Sequence, residues 1–235
     1  MQELFTHRFT IKIDTSACTS MVAGTDPALG DTWYYSDQVF ESGKIYGLVS
    51  EYGQGSVFLS YLCGGGTDAG NDGVKITCND VLVTCKELGA VSHILEPAKA
   101  DYGKLVVRKA IEKALSESGK GSIAQIMEKF MLTPDRSDRK FTALSGERWK
   151  AAAAYGFALG RRIFYAPYMT SSFYYRMLPT GLIKALRELT ESGAVILLPV
   201  GSDSVVKHFA DEIRYLDRKF VFDNERLGAS SDYIH

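Results

Sequence analysis

Short apolar runs at residues 45–49, 163–166 and 194–200 constrain this chain more than any other feature. A run of that length without polar alternation suits a strand buried on both faces. It falls far short of the roughly 20 apolar residues that cross a bilayer. Helical spacing follows at 149–159, which is Ala-rich, and at 182–189, so strands and helices alternate through the second half. That alternation predicts a mostly parallel sheet covered on both faces. Residues 9–13 instead alternate apolar with polar, and 74–77 with 81–84 read as a small antiparallel pair. From 106 to 130 the pattern is helical, broken at Ser118-Gly119-Lys120-Gly121-Ser122, and it reads as an insertion. Residues 205–209 read as a short helix and 213–216 as a last strand.

Composition narrows the function classes. A net charge of -1 offers no basic excess for a nucleic-acid partner. Cys18, Cys63, Cys78 and Cys85 form no C-x-x-C pair and read as reduced thiols. The first ten residues lack the apolar segment of a signal peptide, so membrane contact is expected only through a partner. His7, His208 and His235 are too scattered to propose a metal site.

The run at 45–49 leads into Ser50-Glu51-Tyr52-Gly53-Gln54-Gly55-Ser56-Val57-Phe58, after which Val57, Phe58, Tyr61 and Leu62 fall at helical spacing. A strand, a Gly-rich loop and a helix in that order are the context of a phosphate-binding loop, G-x-x-x-x-G-K-S/T. In that loop, backbone N–H groups cradle phosphates, the Lys neutralises them and the hydroxyl binds Mg²⁺. Here Ser50 replaces the first Gly, Ser56 the Lys and Val57 the hydroxyl residue. Gly53 and Gly55 can keep the shape of the cradle, but its principal counter-charges are gone. The plain alternative is a strand-to-helix turn that needs glycines.

The segment 43–49 with the loop after it resembles the "GEIYGLVGENGAGKST" stretch of ABC transporter ATPases. Farther on, Leu144-Ser145-Gly146-Glu147-Arg148-Trp149-Lys150 and its Ala-rich continuation resemble the LSGGQ signature and the helix it opens. Ile163 to Ser171 lines up with the Walker B stretch "hhhhDEPTS", and Ala210-Asp211-Glu212-Ile213 with the family's "ADRI" segment. The landmarks fall in the family's order over most of the chain.

The resemblance implies an α/β P-loop NTPase fold of ABC-ATPase type. It would have an N-terminal antiparallel β subdomain and P-loop-like core at about 1–94, a helical subdomain at about 95–160 and the remaining core at about 161–235. It also implies that the chemistry is lost. The Walker B Asp falls on Pro167 and the catalytic Glu on Tyr168, neither of them a base near neutral pH. The family's Q-loop Gln best matches His93 and its switch His matches Gly201, or Ser202 one residue on. The signature keeps Leu144, Ser145 and Gly146 but has Glu147 where a second glycine belongs. Ser145 then has two readings of equal weight. It would contact ATP bound to a partner subunit, or simply N-cap the following helix.

Trp33, Tyr34 and Tyr35 read first as packing or interface residues, with adenine stacking as the family's use of such aromatics. Phe173, Tyr174 and Tyr175 stand where the family's dimer-contacting loop belongs and point to an altered subunit interface. The expectation is a non-hydrolysing subunit, cytoplasmic and peripheral at the inner face of the membrane. It would bind an integral permease and form a homodimer or a heterodimer with another ABC ATPase. No cofactor is expected, with ATP and Mg²⁺ bound only weakly or through the partner. A weakly active ATPase and a soluble ABC-like interaction module are the alternatives.

Overall fold

The computed structural model describes residues 2–5, 8–14, 32–35, 37–50, 75–215 and 218–221. Gly53, Gly55, Ser56 and Val57, the helix expected from Val57, and Cys18, Cys63, His7 and His235 lie outside the described residues.

The strands come in chain order as β1 (Thr10–Asp14), β2 (Thr32–Tyr35), β3 (Gln38–Glu41), β4 (Ile45–Val49), β5 (Lys75–Cys78) and β6 (Val81–Val83). Helix α1 (Cys85–Ala90) and β7 (Ser92–Ile94) follow. The antiparallel sheet has the order β3-β1-β5-β6, and its inward side chains are Ile11, Ile13, Phe40 and Ile76. β6 is shorter than expected because Thr84 leaves the strand to N-cap α1, in a reciprocal capping box with Glu87.

A helical block comes next, comprising α2 (Val107–Ser118), α3 (Ile123–Lys129), α4 (Pro134–Ser137) and α5 (Arg148–Ala158). Val107, Ala110, Ile111, Ala114 and Leu115 give α2 one buried stripe at helical spacing. α5 is buried nearly all round, from Trp149 through Ala154 and again at Gly156 and Ala158. Its small alanines let α2 and the later helix α7 (Leu182–Glu191) pack closely against it.

The chain then enters β8 (Ile163–Tyr165), α6 (Ser171–Met177), α7, β9 (Val195–Val200), β10 (Glu212–Tyr215) and β11 (Arg218–Val221). β10-β4-β9-β8-β7 is a five-stranded sheet with every neighbouring pair parallel. The apolar runs read from sequence are its three central strands, and their residues divide by period 2. Ile45, Phe164, Ile196, Leu198 and Val200 face the helices, whereas Tyr46, Leu48, Ile163, Tyr165, Val195 and Leu197 face the antiparallel sheet.

Several elements differ from the sequence reading. α1, β7 and α6 went unread because each is short, and α6 carries aromatics in place of strong helix formers. The helix expected at 205–209 is a 3₁₀ turn, Val206–His208. Trp33, Tyr34 and Tyr35 lie on β2, which pairs antiparallel with β11.

Truncating Leu197, which is 2% exposed between the two sheets, leaves a cavity that neither sheet can close. Leu197→Ala is expected to lower the unfolding free energy by about 2–5 kcal/mol, read by urea denaturation.

Candidate site at the carboxyl edge of the parallel sheet

In an open parallel sheet, the crevice for a ligand lies beyond the carboxyl ends of the strands, where the direction of the connections reverses. Here β4 connects to β7 at one edge, while β9 connects to β10 on the other side of β4. The reversal therefore lies at β4 and β9. Ser50, the residue after β4, is buried, and its N–H donates to the Val200 carbonyl at 3.0 Å. Met169 bridges the same strand end, its N–H donating to the Pro199 carbonyl at 3.2 Å. Pro167 and Tyr168 after β8 thus come beside Gly201 after β9.

Tyr168 lies across Gly201, and a methyl carbon at that glycine would overlap the phenol oxygen. Thr170 then starts α6, its hydroxyl accepting from the Phe173 N–H at 3.3 Å. Among the described residues, the carboxylates that follow strands at this edge are Asp203, after β9, and Glu96, after β7. Asp203 accepts from the Tyr215 hydroxyl at 3.3 Å, and its charge raises the Tyr215 pKa.

Glu96 is 4% exposed and fully engaged. One oxygen accepts from Arg148 Nε at 3.1 Å, Arg148 Nη2 at 3.0 Å and Trp149 Nε1 at 3.0 Å. The other accepts from the Ala98 N–H at 3.2 Å. Arg148 in turn lies 5.7 Å from the centre of the Phe173 ring, and Trp149 packs on the same ring at 4.9 Å. The start of α5 is thereby fastened to the end of β7 and to α6. Sequence reasoning missed Glu96; an acidic residue directly before Pro97, at the end of an apolar stretch, was the available signal.

His93 stands elsewhere. It sits inside β7, buried, with its ring stacked on Tyr102 at 4.7 Å and edge-on to Tyr155 at 5.6 Å. Burial, and then the nearby Arg161 charge, lowers its pKa to about 3 against a backbone hydrogen bond at Ala152. The residue matched to the family's Q-loop Gln is therefore a core ring and not part of the carboxyl-edge crevice.

Leu144 is buried and Ser145 is exposed at the mouth of α5. The N-cap residue is Glu147, and Ser145 supplies no side-chain cap. The capping alternative for Ser145 therefore falls, and its hydroxyl makes no hydrogen bond among the described residues. Gly146 abuts Thr180, whose methyl would stand 3.0 Å from an added Cβ. Glu147 is held by the Thr133 hydroxyl at 2.6 Å and by Arg136 at 3.9 Å. Of the aromatics expected at an interface, Tyr174 is fully buried, Phe173 packs on Trp149, and Tyr175 is 69% exposed.

No family model matches the chain, and no curated protein matches its sequence. Solved structures do match. An ATP-binding subunit of an ABC transporter superposes with a TM-score of 0.61 at 13% identity, covering 93% of each chain. An ABC transporter ATP-binding protein from Pyrococcus furiosus gives 0.60 at 15% identity, over 88% of this chain and 97% of its own. The fold is that of an ABC-type ATPase. CbiO1 from Clostridium perfringens, part of the transporter complex CbiONQ, gives 0.58 at 13% identity over 83% of each chain. Within the ABC-type fold, the positions read from sequence as Walker B and switch residues are neighbours in space, as Tyr168 and Gly201 show.

Two measurements check this geometry. Glu96→Ala leaves Arg148 and Trp149 without their acceptor, and is expected to cost about 1.5–3 kcal/mol of stability in urea. His93, held at a pKa of about 3 when folded against 6.5 ordinarily, takes up a proton only on unfolding between those values. Stability therefore falls as pH drops through 6.5, by about 1.4 kcal/mol per unit from this group alone. His93→Phe, which keeps the stacked ring, is expected to remove that part of the slope.

Proposed function

We propose that this chain is a degenerate ATP-binding subunit of an ABC transporter. It does not hydrolyse ATP, and it serves as a structural or regulatory partner of a membrane permease. The observation that carries the reading is the pair Tyr168 and Gly201. Hydrolysis needs a carboxylate to hold Mg²⁺, a second to orient the attacking water, and a donor for the charge that develops. At the positions aligned with those groups stand Pro167, Tyr168 and a glycine over which the phenol lies. This set does not fit a Mg²⁺ ion, whose ligands are carboxylates, phosphates and water. Ser50, replacing the first glycine of the phosphate loop, is buried and bonded to β9.

The signature supports a role toward a second subunit. Ser145 and Gly146 sit ahead of α5, with Ser145 exposed, and the helix dipole adds favourable potential for an anion brought by a neighbour. The partner is a second copy or a hydrolysis-competent ABC subunit, so ATP and Mg²⁺ bind weakly here or through that subunit. CbiO1 belongs to a transporter complex, and a permease partner is inferred for this chain by analogy. No helix among the described residues is long and apolar enough to cross a membrane. A place at the cytoplasmic face, as a peripheral subunit, is part of the same proposal by analogy with CbiO1.

A weakly active ATPase is the second reading, favoured by Asp203, a carboxylate that follows β9 at the same edge. Calorimetry and phosphate-release assays on the purified chain with ATP and Mg²⁺ separate the two. The expected outcome is no turnover above the buffer rate and no binding tighter than about 100 μM, roughly -5.5 kcal/mol. Phosphate release that disappears in Asp203→Asn would establish the second reading instead.

A further inference from the structure

At the opposite, amino-terminal edge of the parallel sheet lies a cavity of about 520 Å³. It opens between the start of the chain, the turn before β7, the end of α2 and the turn from α5 into β8. Phe5, Val91, Ala114 and Leu159 give it an apolar wall, and Lys120 and Arg161 reach it as cations. The Ser-Gly-Lys-Gly-Ser break in the helical insertion is what places Lys120. Gly119, at φ 68°, ends α2 and turns the chain back on itself. Gly160, at φ 76°, turns α5 toward β8, and its missing side chain leaves room for the Lys120 ammonium, 3.0 Å from where a Cβ would stand.

Among the described residues, no carboxylate lies within ion-pair distance of Lys120 or Arg161. The Arg161 Nε is buried with no hydrogen-bond partner. Arg162, next along the chain, also lines the cavity, with its guanidinium held by the Ser192 and Gly193 carbonyls at 2.7 and 3.2 Å. Glu117 stands at the rim, 61% exposed, 3.9 Å from Lys113. Burial lowers the pKa of Arg161, and burial with the Arg162 charge lowers that of Lys120. Arg161 is half-buried, and a desolvated cation is costly unless an anion meets it, whereas the exposed Lys120 ammonium at the mouth is free to close on such an anion.

We propose that this cavity binds a small phosphomonoester, its dianion held between Lys120 and Arg161 and its organic part against Phe5, Val91 and Leu159. Lys120, Arg161 and Arg162 against the single carboxylate Glu117 leave the lining two positive charges in excess, which matches a phosphate dianion, and a guanidinium fork suits its oxygens. A carboxylate would leave one cation uncompensated, and free phosphate would leave the apolar wall uncovered. The site is independent of the one at the carboxyl edge and concerns a ligand other than ATP held on that loop.

The test is calorimetry on the full chain with phenyl phosphate, benzoate and inorganic phosphate, in the wild type and in Lys120→Gln and Arg161→Gln. Phenyl phosphate is expected to bind tighter than about 1 mM, with each substitution weakening it about tenfold or more. Benzoate and inorganic phosphate are expected to bind more weakly than phenyl phosphate. Lys120 is on an exposed loop, so its variant decides the matter even if Arg161→Gln fails to fold. Absence of binding at millimolar phenyl phosphate overturns the proposal. So does affinity unchanged in Lys120→Gln, which would locate the anion elsewhere, or benzoate binding as tightly as the phosphate.

Discussion

In the parallel sheet, β4, β8 and β9 send successive side chains to opposite sides, and neither side meets water. Ile45 and Ile196 pack under the helices while Tyr46 and Leu197 pack under the antiparallel sheet. A slip of one residue in any of these strands would exchange the two sets, leaving each core with side chains shaped for the other. Register is therefore set by both cores together. Once register is set, the positions of Ser50, Pro167, Tyr168 and Gly201 at the carboxyl edge follow from strand length alone.

The helical block needs a separate fastening, because it meets the sheet mostly through α5. Glu96 supplies it. A single carboxylate at the end of β7 accepts from Arg148 and Trp149 at the first turn of α5, and both of these pack on Phe173 of α6. The loop that carries Ser145 and Gly146 thus leads into a helix whose amino end is tied to the sheet on one side and to α6 on the other. Whatever this loop meets, it meets it from a defined position.

The long apolar runs and the alternating segments were legible because burial imposes period and hydrophobicity directly on the sequence. The order of the family-like landmarks made the fold class legible too. What escaped was set by tertiary context. His93 was matched to the family's Q-loop Gln through the order of the landmarks, yet the stack on Tyr102 and the close approach of Gly156 make it a core residue. Ser145 ahead of a helix left capping open as one of two readings, and the choice was made by where the helix starts, since Glu147 takes the N-cap position. Glu96 and the pairing of Lys120 with Arg161 depend on residues distant in sequence, and no local pattern announces them. The aromatic run at 173–175 split three ways, because a helix turns each successive residue through a different environment.

The contact between Tyr168 and Gly201 also governs how such a chain can change over generations. A side chain cannot be placed at residue 201 while the phenol occupies its space; the ring must first swing aside or be replaced. Any bulkier residue at 201 is therefore penalised so long as Tyr168 stays, and a smaller residue at 168 leaves the space over the glycine empty. Either substitution alone is costly until the other has been made. The two positions behave as a ratchet, in which the order of substitutions matters as much as their identity.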